Sequence, residues 1–160
     1  INTMIGELNT SHTRFLIPEE PAYYQILGIF QSRSRELKNL PKAIFPNNRL
    51  EYTDIGIVTQ TDNNKVFIKS ILEGSPADQA KLLVGDEILS VEGKPFHPIQ
   101  SFAGKAGKAV AVVVQRSPDP ASRTTIPVTP KVFNPATMFL DAQKASTRII
   151  ATEGKKLGYV

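Results

Sequence analysis

The apolar and polar positions along the chain predict a helical start, a central series of short strands and a mixed carboxyl-terminal part. Residues 1–30 have helical spacing, with apolar side chains on one face and a second helix start at Pro18. Residues 31–50 hold prolines and an Asn-Asn pair, which is typical of a short helix followed by an irregular linker. The first 50 residues are therefore predicted to be a helical segment and a linker.

Short apolar runs separated by polar turns predict the strands of the central region. A polar turn with Asn63 and Asn64 separates the first two runs. Ser75 and Pro76 are typical of a helix start, because Ser caps the helix and Pro fills a position that needs no N–H. The predicted strands are residues 55–60, 66–72, 87–91, 110–115 and 124–128, and the predicted helices are residues 76–83 and 98–105.

The carboxyl-terminal pattern predicts a helix over residues 134–143 and two strands, over residues 146–152 and 156–160. Of the 160 residues, 41% are hydrophobic and 21% are charged, which is usual for a globular domain. No apolar run has the length of a membrane span. Because the chain has no Cys and only two His without ligand spacing, the sequence predicts no disulfide, no metal site and no cofactor.

The net charge of +4 originates in residues 31–49, which hold five Lys or Arg residues and one Glu. A basic linker is the kind of segment that contacts an anionic membrane or nucleic acid. Aromatic residues do not alternate with these charges as base stacking requires, so no nucleic-acid partner is expected. A solvated linker is the simpler interpretation.

Residues 70–95 carry the longest motif in the chain. Their sequence is Ser-Ile-Leu-Glu-Gly-Ser-Pro-Ala-Asp-Gln-Ala-Lys-Leu-Leu-Val-Gly-Asp-Glu-Ile-Leu-Ser-Val-Glu-Gly-Lys-Pro. It resembles the S-P-A-x-x-A-x-L-x-x-G-D-x-I-L-x-V-x-G-x-P signature of PDZ domains, in the form found in bacterial proteases. The resemblance implies an α+β fold, a PDZ-like, partly open β-barrel or sandwich capped by two helices. It also implies a polypeptide partner, because PDZ domains bind extended peptides, usually by the free carboxyl end.

Three further segments resemble carboxyl-terminal processing (tail-specific) and tricorn-type serine peptidases. Residues 102–116 resemble the segment aliphatic-Arg-Gly-x-x-Gly-Thr-x-Val…Arg of the first group, with Ala103 in place of Arg and Lys108 in place of Thr. Residues 4–16 resemble the segment that precedes the PDZ domain in these peptidases, and residues 148–160 resemble the entry into their catalytic core.

This resemblance implies four parts of the chain. They are a helical segment over residues 1–30, a basic linker over residues 31–50, a PDZ domain over residues 51–130 and the incomplete start of a peptidase core over residues 131–160. A bacterial periplasm or cell envelope is expected from the family resemblance alone. The residues themselves indicate neither the natural substrate nor the oligomeric state.

The same resemblance predicts a peptide groove beside the loop Ile55-Gly56-Ile57. Gly56 lets the backbone come near a ligand, and the loop N–H groups form a nest for a terminal carboxylate. The ligand then adds as a strand beside the loop, opposite an apolar wall, for which burial in the core is the alternative. The candidate binding residues are Ile55, Gly56, Ile57, Val58 and Thr59 on the loop and strand, and Ile99, Phe102 and Ala103 on the wall.

His12 is the candidate for catalytic chemistry in this chain. The resemblance to tricorn-type members implies that it is the general base for a distant Ser, accepting the hydroxyl proton during attack on the amide. Other members use a Ser-Lys dyad inside the catalytic core, which would leave His12 a structural residue. A self-contained hydrolase built from Ser11, His12 and Asp54 would lack a nucleophile elbow and a defined oxyanion hole.

The expected function is therefore the peptide-binding part of a carboxyl-terminal processing serine endopeptidase. It would recognise free carboxyl ends of protein substrates by β-strand addition. The 160-residue chain lacks the nucleophilic Ser of such peptidases, so we expect it to bind peptide without hydrolysing it. The alternative is a non-catalytic PDZ adaptor or scaffold module.

Overall fold

Four α-helices lie in the part of the chain that the computed structural model describes, which is residues 1–10, 13–30, 33, 45, 49–152 and 154–159. They are α1 (Asn2–Gly6), α2 (Pro21–Phe30), α3 (Pro76–Gln79) and α4 (Met138–Ser146). Among these described helices, none is long and apolar enough to cross a membrane.

Nine strands in the same residues form three antiparallel sheets. Strands β2 to β6 make a five-stranded sheet in the order β2-β3-β4-β5-β6, whereas β1 pairs with β7 and β8 pairs with β9. The strands are β1 (Tyr52–Asp54), β2 (Ile57–Asp62), β3 (Lys65–Ile71), β4 (Glu87–Val91), β5 (Val110–Gln115), β6 (Arg123–Val128), β7 (Lys131–Phe133), β8 (Arg148–Thr152) and β9 (Lys155–Tyr159).

Local sequence accounts for the β2–β3 hairpin and for the start of α3. Asn63 and Asn64 both have positive φ, 46° and 61°, which is the backbone that a two-residue hairpin turn requires and that Asn tolerates. At α3, the Ser75 hydroxyl accepts the Asp78 N–H at 3.3 Å, and the Asp78 carboxylate accepts the Gly74 N–H at 2.9 Å. These reciprocal bonds fix the point at which the chain leaves β3 and turns into the helix.

The main core contains apolar side chains from every strand of the five-stranded sheet, from α3 and from the segment after β4. On β5, Val112 and Val114 are fully buried and Val113 between them is half-buried, so both faces of this strand are covered. Phe102 has no exposed surface, and its ring lies 6.1 Å from the ring of Phe96. Phe102 therefore belongs to the core, which is the alternative that the sequence had left open.

A second apolar cluster joins the amino-terminal helix to the carboxyl-terminal part of the chain. The ring of Tyr24 on α2 lies 5.0 Å from the ring of Tyr52 on β1, which in turn stacks 6.3 Å from Phe133 on β7. Gly28 of α2 packs against Pro135, since a Cβ there would lie 2.9 Å from the Pro135 carbonyl carbon. Residues on both sides of the predicted domain boundaries thus share one cluster, and the division into four parts stays a prediction.

Two helices predicted for the central region are corrected by the structure. The helix expected over residues 98–105 is a series of turns that mixes i→i−3 and i→i−4 hydrogen bonds and ends at Gly104 with φ 71°. The second of the two expected capping helices is therefore absent from the described residues. The helix expected over residues 76–83 ends at Gln79, because Lys81 takes a positive φ of 61°.

Replacing Phe102 by Ala should destabilise the fold, because the deletion of a fully buried ring leaves a cavity. We expect the free energy of unfolding to fall by about 3–5 kcal/mol. Phe139→Ala is the matched control, since that ring is 46% exposed and should cost about 1 kcal/mol or less. Urea denaturation measures both values, and equal losses in the two variants would contradict the assignment of Phe102 to the core.

Candidate functional site

Strand β2 lies at one end of the five-stranded sheet and, within the described residues, pairs only with β3. An edge strand exposes a row of backbone N–H and C=O groups that another extended chain can pair with. The loop Ile55-Gly56 leads directly into this strand. The sheet therefore offers a backbone edge at the place where the sequence predicted peptide addition.

The pairing register shows which β2 residues direct their backbone groups to that edge. The Gly56 carbonyl accepts the Leu72 N–H at 2.9 Å, so the next opposed pair, Ile57 with Ile71, is a non-hydrogen-bonded pair. The backbone groups of Ile57 thus point away from β3.

The same reasoning applies to Thr59, whose partner on β3 is Ile68. The N–H of Ile68 donates to the Asp86 carbonyl at 2.9 Å, and its carbonyl accepts the Gly85 N–H at 2.9 Å. Since the backbone of Ile68 is directed away from β2, that of Thr59 faces the free edge. Ile57 and Thr59 together present two outward N–H groups and two outward C=O groups.

The opposite edge of the sheet, β6, is built differently. Pro127 pairs with Ala111 of β5, and Pro has no N–H to donate. Pro is tolerated in a sheet where its nitrogen faces solvent, and there it blocks the addition of a further strand. Because β2 contains no Pro, it is the edge that remains open to an added strand in the part of the chain that the structure describes.

The loop before β2 is held tightly against α3 and β7. The Ile55 carbonyl accepts the Ala77 N–H at 2.9 Å, which ties the loop to the first turn of α3. Gly56 has φ 84°, and a Cβ on it would lie 2.8 Å from the Ser75 hydroxyl oxygen and 3.1 Å from the Phe133 ring. Residue 56 must therefore be Gly for two reasons, its backbone conformation and the lack of room.

Gly56→Ala should destabilise the fold and not merely block a ligand. A left-handed backbone costs a residue with a Cβ roughly 1–2 kcal/mol, and the contacts with Ser75 and Phe133 should add about 1–3 kcal/mol. Gly85→Ala is the control, because Gly85 has φ 93° and nothing within 4 Å of the added Cβ. Thermal or urea unfolding of the two variants should show the larger loss at Gly56, and equal losses would contradict the close packing.

Asp54 is the buried charged residue at this loop, with 2% of its surface exposed. Its Oδ1 accepts the N–H of Ile55 at 2.7 Å. Burial raises the pKa of the Asp54 carboxyl from 3.8 to about 7, while hydrogen bonds from the N–H groups of Ile55 and Gly56 act in the opposite direction. The sequence had placed Asp54 before the loop but did not indicate that its carboxylate engages the loop donors.

The raised pKa of Asp54 predicts that the protein is more stable in mild acid. A carboxyl whose pKa is higher in the folded state stabilises the fold below its unfolded pKa, and this contribution is lost as the pH rises through the folded pKa. As the pH rises from about 4 to about 8, ionisation of the Asp54 carboxyl should therefore lower the free energy of unfolding, by about 4 kcal/mol at most.

Urea denaturation across that pH range checks this expectation with two variants. Asp54→Asn should lose much of the pH dependence, whereas Asp62→Asn, at the exposed far end of β2, should keep it. A pH profile that is the same in wild type and Asp54→Asn would contradict the expectation.

The three residues predicted as an apolar wall lie in one turn segment but do not form a common exposed surface. Phe102 is in the main core, and Ile99 is half-buried against the second cluster. Ala103 is exposed in the turn segment. Phe102 therefore offers no surface to a ligand in this structure, and the opposite wall of the groove stays a prediction for Ile99 and Ala103.

The catalytic candidates from the sequence lie mostly outside the described residues. Both Ser11 and His12 belong to the part of the chain that is not described, so the general-base role of His12 stays a prediction. The Asp54 carboxylate accepts a hydrogen bond from the N–H of Ile55 in its own loop. Over the described ranges, no group of three or more His, Cys, Asp or Glu side chains is arranged to hold a metal ion.

Comparison with known proteins identifies the central motif. Residues 67–116 match a family model described as PDZ domain, which covers less than half of the chain. Over 70 residues the chain is 37% identical to the Arabidopsis thaliana protein "Putative protease Do-like 14", a match over 44% of this chain and 15% of that protein. The chain thus spans only a small part of this plant relative, and a bacterial origin stays a prediction.

Two solved structures are similar in arrangement. The photosystem II D1 C-terminal processing protease gives a TM-score of 0.43 at 24% identity, covering 49% of this chain and 23% of that one. The PDZ domain of a carboxy-terminal protease from Vibrio cholerae, in complex with peptide, gives 0.44 at 23% identity, covering 52% and 97%. Because both scores are below 0.5, the fold rests on the family model and the strand order. The family model and the strand order together identify a mixed helix and sheet fold with a PDZ-like open sheet and few helices.

Proposed function

We propose that this protein binds an extended peptide segment as an added strand along the free edge of β2. The observation that carries the proposal is the outward backbone of Ile57 and Thr59 at an edge that contains no Pro. Alternate backbone groups of the ligand would pair with these two residues. The match of residues 67–116 to PDZ domains supports this mode of binding. The matched residues include most of β3, the partner of β2, and begin after β2 itself.

The end of the ligand would lie at the loop Ile55-Gly56-Ile57, and a free carboxyl terminus is the group that this loop would receive. Gly56 is buried and lets the loop pack against Ser75 and Phe133, and the N–H of Ile57, which follows it, is directed to the edge. A peptide that ends in a carboxylate after an apolar residue is therefore the proposed ligand. Val58 and Thr59, both half-buried, would contact its side chains.

The parent protein would be a serine peptidase of the carboxyl-terminal processing type. The similarity to a plant protein named as a Do-like protease supports a protease parent in general, and the resemblance of residues 4–16 and 102–116 supports the more specific type. In that parent, His12 would be the general base if the mechanism is of the tricorn type. No observation favours the adaptor alternative over this proposal.

A matched pair of substitutions tests the use of the β2 edge. Thr59→Pro removes one outward N–H without removing a bond to β3, and it should weaken peptide binding at least about tenfold. Thr125→Pro is the control, because Thr125 lies two residues before Pro127 and so faces the opposite edge of the same sheet. Fluorescence anisotropy with a labelled hexapeptide ending in Val measures both affinities.

Two outcomes would contradict the proposal. Equal affinity of Thr59→Pro and wild type would remove the β2 edge from binding, and an equal loss in both variants would show that the effect is not specific to this edge. Thermal melts of both variants without peptide exclude unfolding as the cause of a loss.

A further inference from the structure

The loop donors that precede Ile57 already have an acceptor within the chain. Oδ1 of Asp54 lies 2.7 Å from the nitrogen of Ile55, and the N–H of Gly56 also stabilises the ionised side chain. With 2% of its surface exposed, this side chain is fixed in the fold and not free in solvent. Because Ile55 and Gly56 are buried too, a ligand carboxylate at the outward N–H of Ile57 would not reach these donors, but it would approach the buried negative charge of Asp54.

No described cation offsets the negative charge of Asp54. Its cross-strand neighbour on β7 is Lys131, but the Lys131 ammonium lies over the Phe133 ring, 4.9 Å from the ring centre, and forms no described ion pair with Asp54. Tyr52 on the same strand as Asp54 is a buried hydroxyl whose pKa is raised by burial, so it is neutral. Two carboxylates brought close to each other without a cation repel each other.

We propose that Asp54 determines the ligand specificity of this loop, because its buried negative charge lies at the loop that leads to the outward N–H of Ile57, where a terminal carboxylate would bind. The proposal rests on the proposed function and specifies its ligand. While Asp54 is ionised, the site accepts internal segments and uncharged ends nearly as well as free carboxyl termini. Once Asp54 is neutral, its negative charge no longer opposes a ligand carboxylate, and the free carboxyl terminus becomes the preferred ligand.

The test compares acid and amide forms of the same peptides at about pH 8, where Asp54 is mainly ionised. The probes are labelled hexapeptides that end in Val, Leu, Ala or Phe, each as the free acid and as the amide. In wild type the two forms should bind within about threefold of each other. In Asp54→Asn the acid should bind roughly tenfold more tightly than in wild type, with the amide changed less than about twofold.

Asp62→Asn is the matched control, because it makes the same chemical change at the exposed far end of β2. It should leave the ratio of acid to amide affinity unchanged. An equal rise of acid affinity in both variants would assign the effect to overall charge and overturn the proposal. An unchanged ratio in Asp54→Asn, with both peptide forms still bound, would overturn it and leave the proposed function intact.

A measurement on the wild-type protein keeps the proposal falsifiable if Asp54→Asn does not fold. The ratio of acid to amide affinity should rise about tenfold between about pH 8 and about pH 5.5, as Asp54 is protonated while the peptide carboxylate stays ionised. A ratio that stays flat over this range would overturn the proposal. If neither form binds wild type at either pH, the proposed function fails together with it.

Discussion

The arrangement of the site depends on the absence of a side chain at residue 56. Ser75 at the start of α3 and Phe133 on β7 fill the space where a Cβ would stand. The backbone of Gly56 therefore comes close enough for its carbonyl to accept the Leu72 N–H, and this bond sets the register of β2 against β3. That register makes Ile57 face the free edge, and beyond the register shift after Val58 the bonds of Ile68 to Gly85 and Asp86 do the same for Thr59.

Burial of Asp54 adds an electrostatic constraint at the same loop. A carboxylate in an apolar environment disfavours its own ionised form, and the N–H groups of Ile55 and Gly56 offset only part of that cost. The same two donors belong to the loop that a ligand end approaches. Stability and specificity are thus linked through one side chain, since protonation of Asp54 stabilises the fold and removes its competing charge from the loop.

The sequence predicted many of the elements whose signals are local. The valine run of β5, the Asn-Asn turn and the Ser-Pro start of α3 are confirmed, because each depends on residues a few positions apart. The three-residue strands β1 and β7 were missed, since their pairing joins residues about 80 positions apart and has no local signature. For the site, the resemblance predicted the loop and the strand that follows it, but an acidic residue in a sequence does not reveal where its carboxylate points.

The most direct test of strand addition at β2 is residue-resolved amide hydrogen exchange, with and without a saturating hexapeptide that ends in Val. Ile57 and Thr59 should exchange at least about tenfold more slowly in the complex, because their outward N–H groups gain acceptors. Arg123 and Thr125, which face the opposite edge on β6, should not change. Protection that is absent from Ile57 and Thr59 in a protein that still binds the peptide, or that falls on β6 instead, would contradict the account.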